Sequence, residues 1–372
     1  MARRAAELRR RLVAAMVARG DLADPAWRRA FDEVPRHEFV PLFYDKQQNP
    51  VSRHQPEQVP SWLAEVYTDE ALATQLADGV VVSSSSQPSL MAIMLEALQL
   101  EGTERILEIG TGTGYNAALL CHRLGEYRVV TIDVDPDITS LARSRLADVG
   151  YQPLVVTADG LDGYEARAPY QRIIATVGLE FVPPAWLEQL TPDGLVVAPV
   201  GVGVIRLRNQ GDGTAEGRFL RTPAFFMPLR GLDTEQSLPR PDLPTGLPRP
   251  TDVRASVLTG NGLRFLMSLL MPRFSYQYDV DTLDANGKPT SARIWSADGS
   301  IAEVRGGEVL EAGPTPLWSR LEVVRRIHLE HGKPKRGRFG LSVDPAGQRL
   351  WLDSPDGPSW PLAVPSEGPA KR

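Results

Sequence analysis

The chain has 372 residues, of which 42% are hydrophobic and 23% charged, and its formal net charge is −5. This composition is typical of a globular protein, and its slight acidity argues against non-specific nucleic-acid binding. No apolar run approaches membrane-spanning length, so we expect no membrane partner. The basic N-terminus lacks the continuous apolar core of an export signal, and Cys121 is the only cysteine. We therefore expect a cytoplasmic protein of two domains in which Cys121 is a buried structural thiol.

Residues 1–80 are expected to form a helical and loop-rich extension of the domain that follows. An apolar stripe at helical spacing predicts a helix over residues 3–19. Asp24 followed by Pro25 is the start signal of a second helix, because aspartate caps the N-terminus and proline suits the first helical position. Residues 42–62 are rich in polar residues and proline and are expected to form a loop.

A run of serines follows this region. Residues 68–79 predict a partial helix, and residues 80–82 predict a short strand that leads into four consecutive serines at 83–86. An apolar helical pattern starts at residue 90, so we interpret the serines as an ordered turn rather than a flexible linker. Ser86 or Ser89 is expected to cap that helix.

Residues 81–228 alternate strand and helix patterns. Predicted strands cover residues 105–109, 128–133, 153–157, 171–177 and 194–200, and predicted helices cover residues 115–124, 136–149 and 184–190. Strands separated by helices indicate a doubly wound, Rossmann-like α/β fold with a parallel sheet. Such sheets bind ligands at the carboxyl ends of their strands, so functional residues are expected there.

The character of the sequence changes after residue 221. Prolines crowd the following stretch, and we interpret residues 229–250 as a proline-rich linker. Residues 251–372 predict a smaller α+β domain with an expected role in substrate recognition. Its predicted elements are a helix at 263–271, strands at 274–280 and 293–304, an amphipathic helix from residue 315, and a hairpin at 339–353.

A glycine-rich turn lies at the centre of the alternating region. Residues 105–116 read RILEIGTGTGYN, an apolar strand followed by Gly110, Gly112 and Gly114 and then by a helical pattern. Glycines let the backbone approach a ligand closely, and the start of a helix offers free N–H groups. The triplet alone is equally compatible with an ordinary turn between a strand and a helix.

Two acidic residues at neighbouring strand ends favour a nucleotide-like ligand. Asp133 ends the second strand, where a carboxylate can accept hydrogen bonds from ribose hydroxyls, whereas Asp135 suits the role of helix cap better. Asp159 follows the third strand and can accept a hydrogen bond from an adenine amino group. Together they indicate an adenosine-bearing cofactor, either a nicotinamide dinucleotide or S-adenosylmethionine. The glycine spacing differs from that of dinucleotide-binding turns, and no Walker-type lysine follows it.

The order and spacing of several segments resemble the protein-L-isoaspartate O-methyltransferases, a class I S-adenosylmethionine-dependent family. The resemblance covers residues 8–228, and its motifs are VPRHEFVP at 34–41, SQP at 86–88, EIGTGTGYN at 108–116, DG at 159–160 and GY at 163–164. It implies S-adenosylmethionine as cofactor and S-adenosylhomocysteine as product. The residues that it assigns to cofactor binding are Glu108, Gly110, Thr111, Gly112, Gly114, Tyr115, Asn116, Asp133, Val134, Asp159 and Gly160.

The same resemblance assigns the acceptor site to the serine run, since the family's hydroxyl residue before Gln-Pro corresponds to Ser86. The side chains expected to act in catalysis are Ser84, Ser85 and Ser86, and those expected to contact the substrate are Ser83, Ser89, Val177 and Gly178. A carboxylate acceptor is already ionised at neutral pH, so its methylation requires alignment rather than a strong base. Hydroxyl groups can hold a carboxylate by hydrogen bonds. The alternative interpretation is a solvated serine loop.

Two features depart from the family pattern. Residues 71–79 read ALATQLADG where the family usually has Pro-Leu-Pro-Ile-Gly, and residues 251–372 extend beyond the plain repair enzyme. Both features resemble the methyltransferases of ribosomal-peptide natural-product clusters (lanthipeptides, lasso peptides and graspetides), which methylate an aspartate side chain of a precursor peptide. The resulting ester closes to an aspartimide, which persists or hydrolyses to isoaspartate. The favoured interpretation is therefore a dedicated aspartate methyltransferase of this kind.

Three alternatives stay open. They are a general protein-L-isoaspartate O-methyltransferase that repairs damaged proteins, a non-catalytic scaffold that binds a peptide, and a nicotinamide oxidoreductase. We expect no metal site, because His328 and His331 have no further ligands near them in the sequence. His37 is interpreted as a packing residue, and the basic residues 333–338 as a solvated loop or a contact for an acidic peptide. The expected partner is a peptide or protein substrate, and the chain is expected to be a monomer.

Overall fold

The structure is a computed structural model that describes residues 1–229, 242, 246–259, 261–279 and 282–363. Its first part combines helices with a small antiparallel sheet of order β2-β1-β3-β4. The helices are α1 (Ala2–Arg19), α2 (Pro25–Glu33), α3 (Arg36–Phe39) and α4 (Val59–Val66), and the strands are β1 (Leu42–Tyr44), β2 (Pro50–Ser52), β3 (Leu72–Ala77) and β4 (Val80–Ser85). The predicted start of α2 is confirmed, because the Asp24 carboxylate accepts a hydrogen bond from Ala26 N–H.

This sheet corrects two expectations. Residues 42–62 contain β1, β2 and the start of α4 instead of a loop, and residues 68–79 contain β3 instead of a partial helix. The β3–β4 hairpin turns at Asp78 and Gly79, whose φ angles of 50° and 75° are both positive. Asp-Gly is a favoured dipeptide for such a tight turn, so the sequence did contain the signal. Strand β4 continues through Ser85, so most of the serine run lies in a strand and not in a turn.

The central part has the expected doubly wound α/β fold. Its elements are α5 (Pro88–Ala97), β5 (Ile106–Ile109), α6 (Tyr115–Leu124), β6 (Val129–Asp133), α7 (Pro136–Asp148), β7 (Leu154–Thr157), β8 (Tyr170–Ala175), α8 (Pro184–Glu188), β9 (Leu190–Val200), β10 (Gly203–Asn209) and β11 (Ala215–Pro223). Parallel pairing joins β7, β6, β5, β8 and β9 in that spatial order, and β10 and β11 extend the sheet in antiparallel fashion. The N-cap of α5 is Gln87, so the expectation that Ser86 or Ser89 caps this helix is wrong.

The remaining residues form a second sheet and the far edge of the first. Their elements are β12 (Arg249–Pro250), α9 (Asn261–Leu270), β13 (Ser275–Tyr278), β14 (Ser291–Trp295), β15 (Ile301–Arg305), β16 (Glu308–Ala312), α10 (Leu317–Glu330), β17 (Phe339–Asp344), β18 (Gly347–Leu352) and β19 (Ser359–Pro361). The second sheet has the order β12-β16-β15-β14-β13. Strands β17, β18 and β19 continue the central sheet, because β17 pairs with β11.

The division of the chain at residues 229–251 stays a prediction. Residues 230–241 and 243–245 of the expected linker lie outside the described part of the chain, as do residues 260, 280, 281 and 364–372. The three strands beyond residue 339 belong to the central sheet, so a boundary at residue 251 does not coincide with a boundary between the two sheets. Among the described residues, no helix is long and apolar enough to cross a membrane.

Hydrogen bonds and apolar packing join the C-terminal residues to the central sheet. Gln348 on β18 accepts a hydrogen bond from Val182 N–H at 2.9 Å and donates one to Val182 O at 2.6 Å. Ser268 on α9 accepts a hydrogen bond from Val202 N–H, between β9 and β10, at 3.0 Å. A single apolar cluster contains buried side chains of β5, β9 and α10. The residues after the expected linker are therefore packed against the core.

Replacing Gln348 with alanine should destabilise the protein, because both backbone polar groups of the buried Val182 then lose their partner. We expect chemical denaturation to show a loss of about 1–3 kcal/mol in the free energy of unfolding. Arg349→Ala is the matched control, since Arg349 is exposed on the same strand, and we expect it to cost about 0.5 kcal/mol or less. Equal stability of the two variants would show that the hydrogen bonds between Gln348 and Val182 contribute nothing to the free energy of unfolding.

Candidate functional site

A cavity of about 670 Å³ opens at the carboxyl ends of β5 and β6, and the serine run of β4 forms part of its wall. Most of the predicted site residues line it, namely Ser83, Ser84, Ser85, Ser86, Ser89, Gly110, Thr111, Gly112, Tyr115, Asn116, Asp133, Val134, Gly160 and Val177. Four predicted residues do not line it, namely Glu108, Gly114, Asp159 and Gly178. The cavity thus brings the expected cofactor residues and the expected acceptor residues into one space.

The glycines of the turn after β5 have different structural roles. A β-carbon at Gly110, whose φ is 93°, would lie 2.8 Å from Val177 Cγ1, a distance that no side chain could tolerate without a shift. Gly110 therefore allows β5 and the residues after β8 to lie close together at the floor of the cavity. A β-carbon at Gly114 would instead meet Ala142 Cβ of α7 at 3.3 Å. Gly114 lets α6 pack closely against α7 and does not reach the cavity.

The structure separates the two acidic residues at the end of β6. Asp135 caps α7, since its carboxylate accepts hydrogen bonds from Asp137 N–H at 2.9 Å and Ile138 N–H at 3.2 Å. Asp133 lines the cavity, and its carboxylate accepts a hydrogen bond from Gly112 N–H at 3.1 Å. Asp133 therefore fixes the glycine turn to the end of β6 and presents a carboxylate to the cavity.

Glu108 does not reach the cavity, because it is fully buried on β5 and its Oε1 accepts a hydrogen bond from Asn116 Nδ2 at 2.7 Å. Burial raises the pKa of Glu108 to about 7, and the nearby Asp133 carboxylate acts in the same direction. Hydrogen bonds from Thr131 and Asn116 lower the pKa but only partly offset the burial. The position of Glu108 shows a role in joining β5 to α6.

Two further predicted residues also lie apart from the cavity lining. Asp159 is exposed, and its carboxylate accepts a hydrogen bond from Leu161 N–H at 2.9 Å. It therefore caps the short 3-10 turn Gly160–Asp162. Gly178 lines a smaller, neighbouring cavity. The sequence correctly placed Asp159 and Gly178 after the ends of strands. It did not predict which groups these two residues contact.

A buried arginine to which the sequence analysis assigned no role holds the serine run in place. Arg36 on α3 is fully buried, and burial lowers its pKa to about 10. Its guanidinium donates hydrogen bonds to the backbone carbonyls of Val66, Thr68, Glu70, Ser85 and Ser86. Arg36 therefore ties the end of α4 to the end of β4. The only signal in the sequence was its place in the segment VPRHEFVP at 34–41.

The four serines of the run are not equivalent. Ser83 and Ser85 are buried, and their hydroxyls lie 3.2 Å from Thr74 Oγ1 and 3.4 Å from Arg36 Nε. Ser84 and Ser86 are only half-buried, as expected from the alternation of side chains along a strand. The hydroxyls of Ser84 and Ser86 are therefore better placed to meet a ligand than those of the other two.

A group of paired charged residues to which the sequence analysis assigned no role also lines the cavity. Arg19 Nε lies 2.7 Å from Asp21 Oδ2, and Arg19 Nη2 lies 2.5 Å from Asp69 Oδ2. Asp69 also accepts a hydrogen bond from Ser89 N–H at 2.8 Å, and it thereby satisfies a donor in the first turn of α5. Arg19, Asp21 and Asp69 all line the cavity. Local patterns could not reveal this contact, because Asp69 lies 20 residues away from Ser89 in the chain.

The other residues considered for chemistry lie outside the cavity. His37 is buried, and its Nδ1 lies 2.7 Å from the Tyr67 hydroxyl, which agrees with a packing role. Cys121 is buried in α6, and burial raises its thiol pKa. Within the ranges that the structure describes, no three His, Cys, Asp or Glu side chains are grouped to hold a metal ion.

The cavity lining fits an adenosine-bearing cofactor. The buried Oδ1 of Asn116 has no hydrogen-bond partner among the described residues, and Asn116 lines the cavity. Asp133 adds a carboxylate there, and Gly110 keeps the floor free of a side chain. A ligand with several hydroxyl and amino groups would satisfy such a lining.

The family model described as Protein-L-isoaspartate(D-aspartate) O-methyltransferase matches residues 7–231, which is more than half of the chain. The chain belongs to this family. It is therefore a methyltransferase, and its cofactor is S-adenosylmethionine. The resemblance found in the motifs is thus confirmed at the level of the family, whereas the subtype that acts on natural-product peptides is not.

Proteins with similar sequences are named protein-L-isoaspartate O-methyltransferases. Protein-L-isoaspartate O-methyltransferase 1 of Anaeromyxobacter sp. (strain Fw109-5) is 36% identical over 227 residues, which cover 59% of this methyltransferase and 93% of that relative. The Thermotoga maritima protein-L-isoaspartate O-methyltransferase is also 36% identical, over 180 residues that cover 48% of this chain and 51% of that relative.

One solved structure bears on the C-terminal residues. It is named protein-L-isoaspartate O-methyltransferase and shares the fold over 93% of this methyltransferase and 100% of its own chain, with a TM-score of 0.56 and 24% identity. A fold that extends into the C-terminal residues therefore also occurs in a chain of that name.

The stability of this methyltransferase should depend on the protonation of Glu108. Folding raises the Glu108 pKa from 4.5 to about 7. The contribution of protonated Glu108 to the free energy of unfolding is therefore fully present below pH 4.5 and is lost as the pH rises through 7. Glu108→Gln stays neutral at every pH and retains an acceptor for Asn116. Relative to the wild type, it should therefore gain up to roughly 3 kcal/mol between about pH 5 and pH 8.

Urea denaturation across this pH range measures the difference between the two proteins. Glu65→Gln on the exposed face of α4 is the control, and its stability should run parallel to that of the wild type. A Glu108→Gln difference that does not change with pH would contradict the titration of a buried carboxyl group.

Proposed function

We propose that the protein methylates the free carboxylate of L-isoaspartyl residues in peptides or proteins. The observation that carries this proposal is the position of the serine run opposite the glycine turn. A β-carbon at Gly112 would lie 3.6 Å from Ser84 O, so the two segments share one cavity. A cofactor at the turn and an acceptor at the serines would therefore lie within reach of each other.

The cofactor side of the site consists of the turn after β5 and the end of β6. We assign the ribose hydroxyls to Asp133, because its carboxylate lines the cavity beside the Gly112 N–H group. Asn116 Oδ1 offers a further acceptor for an amino or hydroxyl group. When bound, S-adenosylmethionine supplies an electrophilic methyl group to a carboxylate oxygen, which leaves a methyl ester and S-adenosylhomocysteine.

The acceptor side requires donors that orient a carboxylate without protonating it. The half-buried hydroxyls of Ser84, on β4, and of Ser86, just after it, meet this requirement, because they are neutral and belong to a segment that Arg36 anchors. Among the described lining residues there is no His, Lys or Cys. A carboxylate acceptor agrees with this lining, because it is ionised at neutral pH and needs no general base.

The comparisons support general isoaspartyl methylation better than the dedicated aspartate methylation that the sequence analysis favoured. The dedicated reading, with aspartimide and isoaspartate as later products, keeps one supporting observation. Residues 71–79, which depart from the family pattern, lie in the β3–β4 hairpin, and Ala71 and the end of β4 line the cavity. We retain dedicated aspartate methylation as the second candidate function, because the residues that depart from the family pattern lie beside the expected acceptor site.

Labelled cofactor and two sets of short peptides distinguish the candidates. The sets have unrelated sequences and differ only in carrying an L-isoaspartyl or an ordinary aspartyl residue at the same position. General methylation requires turnover of most isoaspartyl peptides and of no aspartyl peptide. Turnover confined to aspartyl peptides, or no turnover of arbitrary isoaspartyl sequences, would overturn it and favour the dedicated enzyme.

Asp133→Asn should weaken the binding of S-adenosylmethionine, because an amide replaces a carboxylate acceptor in the cavity. We expect a loss of affinity of about 10- to 100-fold in calorimetric titration, in line with the loss of a hydrogen bond to a charged group. Asp137→Asn is the control, since Asp137 is exposed in the first turn of α7 and should bind the cofactor normally. Unchanged affinity of Asp133→Asn would remove Asp133 from the cofactor site.

Ser86→Ala should reduce methyl transfer without changing cofactor affinity, because the hydroxyl is assigned to the acceptor. We expect kcat/KM for an isoaspartyl peptide to fall by about 10- to 100-fold while the Kd for S-adenosylmethionine stays the same. Ser61→Ala, an exposed serine of α4, serves as the control and should keep full activity. An equal loss of cofactor affinity in Ser86→Ala would instead place this hydroxyl on the cofactor side.

A further inference from the structure

A second cavity of about 270 Å³ lies next to the first and has no part in the methyl transfer described above. The two cavities share a wall, because Phe226 and Pro228 line both of them. Val177 lines the first cavity, and the next residue, Gly178, lines the second. An extended peptide whose acceptor residue occupies the first cavity can therefore reach the second within a few residues.

The wall of the second cavity is mostly apolar. Leu179 and Val202 contribute from the loops of the central sheet, and Met267, Met271 and Phe274 contribute from α9 and the residues after it. Its volume is sufficient for one large side chain. Methionine side chains adapt to ligands of different shape and contact aromatic rings favourably. The cavity thus suits an apolar or aromatic side chain whose identity can vary.

Three charged residues, Glu180, Arg264 and Arg273, also line this cavity. Burial raises the pKa of Glu180, and the positive charge of the neighbouring Arg273 only partly opposes this shift. The Arg264 guanidinium lies over the Phe225 ring at 4.8 Å from its centroid. Phe225 lines the first cavity and Arg264 the second, so this pair bridges them. The N–H groups of Arg264 are suitable donors for the backbone carbonyls of a peptide that spans the two cavities.

We infer that the second cavity binds one large apolar side chain of the peptide substrate, at a position flanking the acceptor residue. This inference rests on the proposed function and adds a source of sequence selectivity to it. A charged side chain would lose its hydration in a wall of this kind, whereas an apolar one is favoured by burial. Because α9 and the residues after it supply half of the wall, the C-terminal residues contribute directly to substrate recognition.

The test uses short isoaspartyl peptides of glycine and alanine that carry one phenylalanine, placed in turn at each position next to the acceptor. We expect phenylalanine at one of these positions to lower KM by about tenfold relative to alanine, with little change in kcat. Val202→Trp should fill the cavity and abolish this preference, so that the ratio of the KM values for the phenylalanine and alanine peptides falls to about one. Val323→Trp, on the exposed side of α10, is the matched control and should keep the preference.

A wild-type enzyme that shows no preference at any position, or a Val202→Trp variant that keeps it, would overturn the inference. Melting temperature and cofactor Kd establish that Val202→Trp is folded, and Phe274→Ala offers a second variant that opens the wall and should weaken the preference. If the wild type methylates none of these peptides, the proposed function fails. Fluorescence anisotropy of the same peptides in labelled form then decides the subsite separately. The subsite is supported if the wild type binds a phenylalanine peptide with a lower Kd than the alanine peptide and Val202→Trp does not. Equal Kd values of the two peptides for the wild type would overturn it.

Discussion

The site is organised around one buried cation. Arg36 has no exposed surface, and its guanidinium donates to carbonyls at the end of α4, in the segment that follows, and at the end of β4. Burying a guanidinium is unfavourable unless its donors are satisfied, so these hydrogen bonds hold the three segments to one another. Val66 is the last residue of α4, where the helix presents free carbonyls and a partial negative charge. The serine run is therefore held by the N-terminal helices as well as by its own hairpin.

The C-terminal residues extend the core that supports this site. Strand β17 pairs with β11, so within the described residues the central sheet has ten strands and continues past the expected linker. The β9–β10 turn, which lies between the sheet and α9, is fixed by the hydrogen bond from Val202 N–H to Ser268. This turn, at the carboxyl end of β9, is thus held by α9 as well as by the sheet. That arrangement explains how residues distant in sequence form the wall of the second cavity.

Local patterns were sufficient where one short segment determines the outcome. The bounds predicted for α6 agree with the structure, and the assignment of Asp135 as a helix cap is confirmed, because both depend on neighbouring residues. The β3–β4 hairpin was missed, although Asp78-Gly79 is a dipeptide that favours a tight hairpin turn. Long-range contacts were not predictable in this way. Arg36 satisfies carbonyls up to 50 residues away, and no local pattern identifies them.

The separation of Arg36 from the cavity has a chemical consequence for the proposed reaction. Arg36 does not line the cavity, and Ser85 and Ser86 lie between its guanidinium and the space that an acceptor would occupy. A cation in direct contact with a carboxylate would stabilise its negative charge and make its oxygens less nucleophilic. Arg19, which does line the cavity, already pairs with Asp21 and Asp69. Neutral hydroxyls anchored by a cation one layer behind them can instead orient the carboxylate while its charge stays available for bond formation.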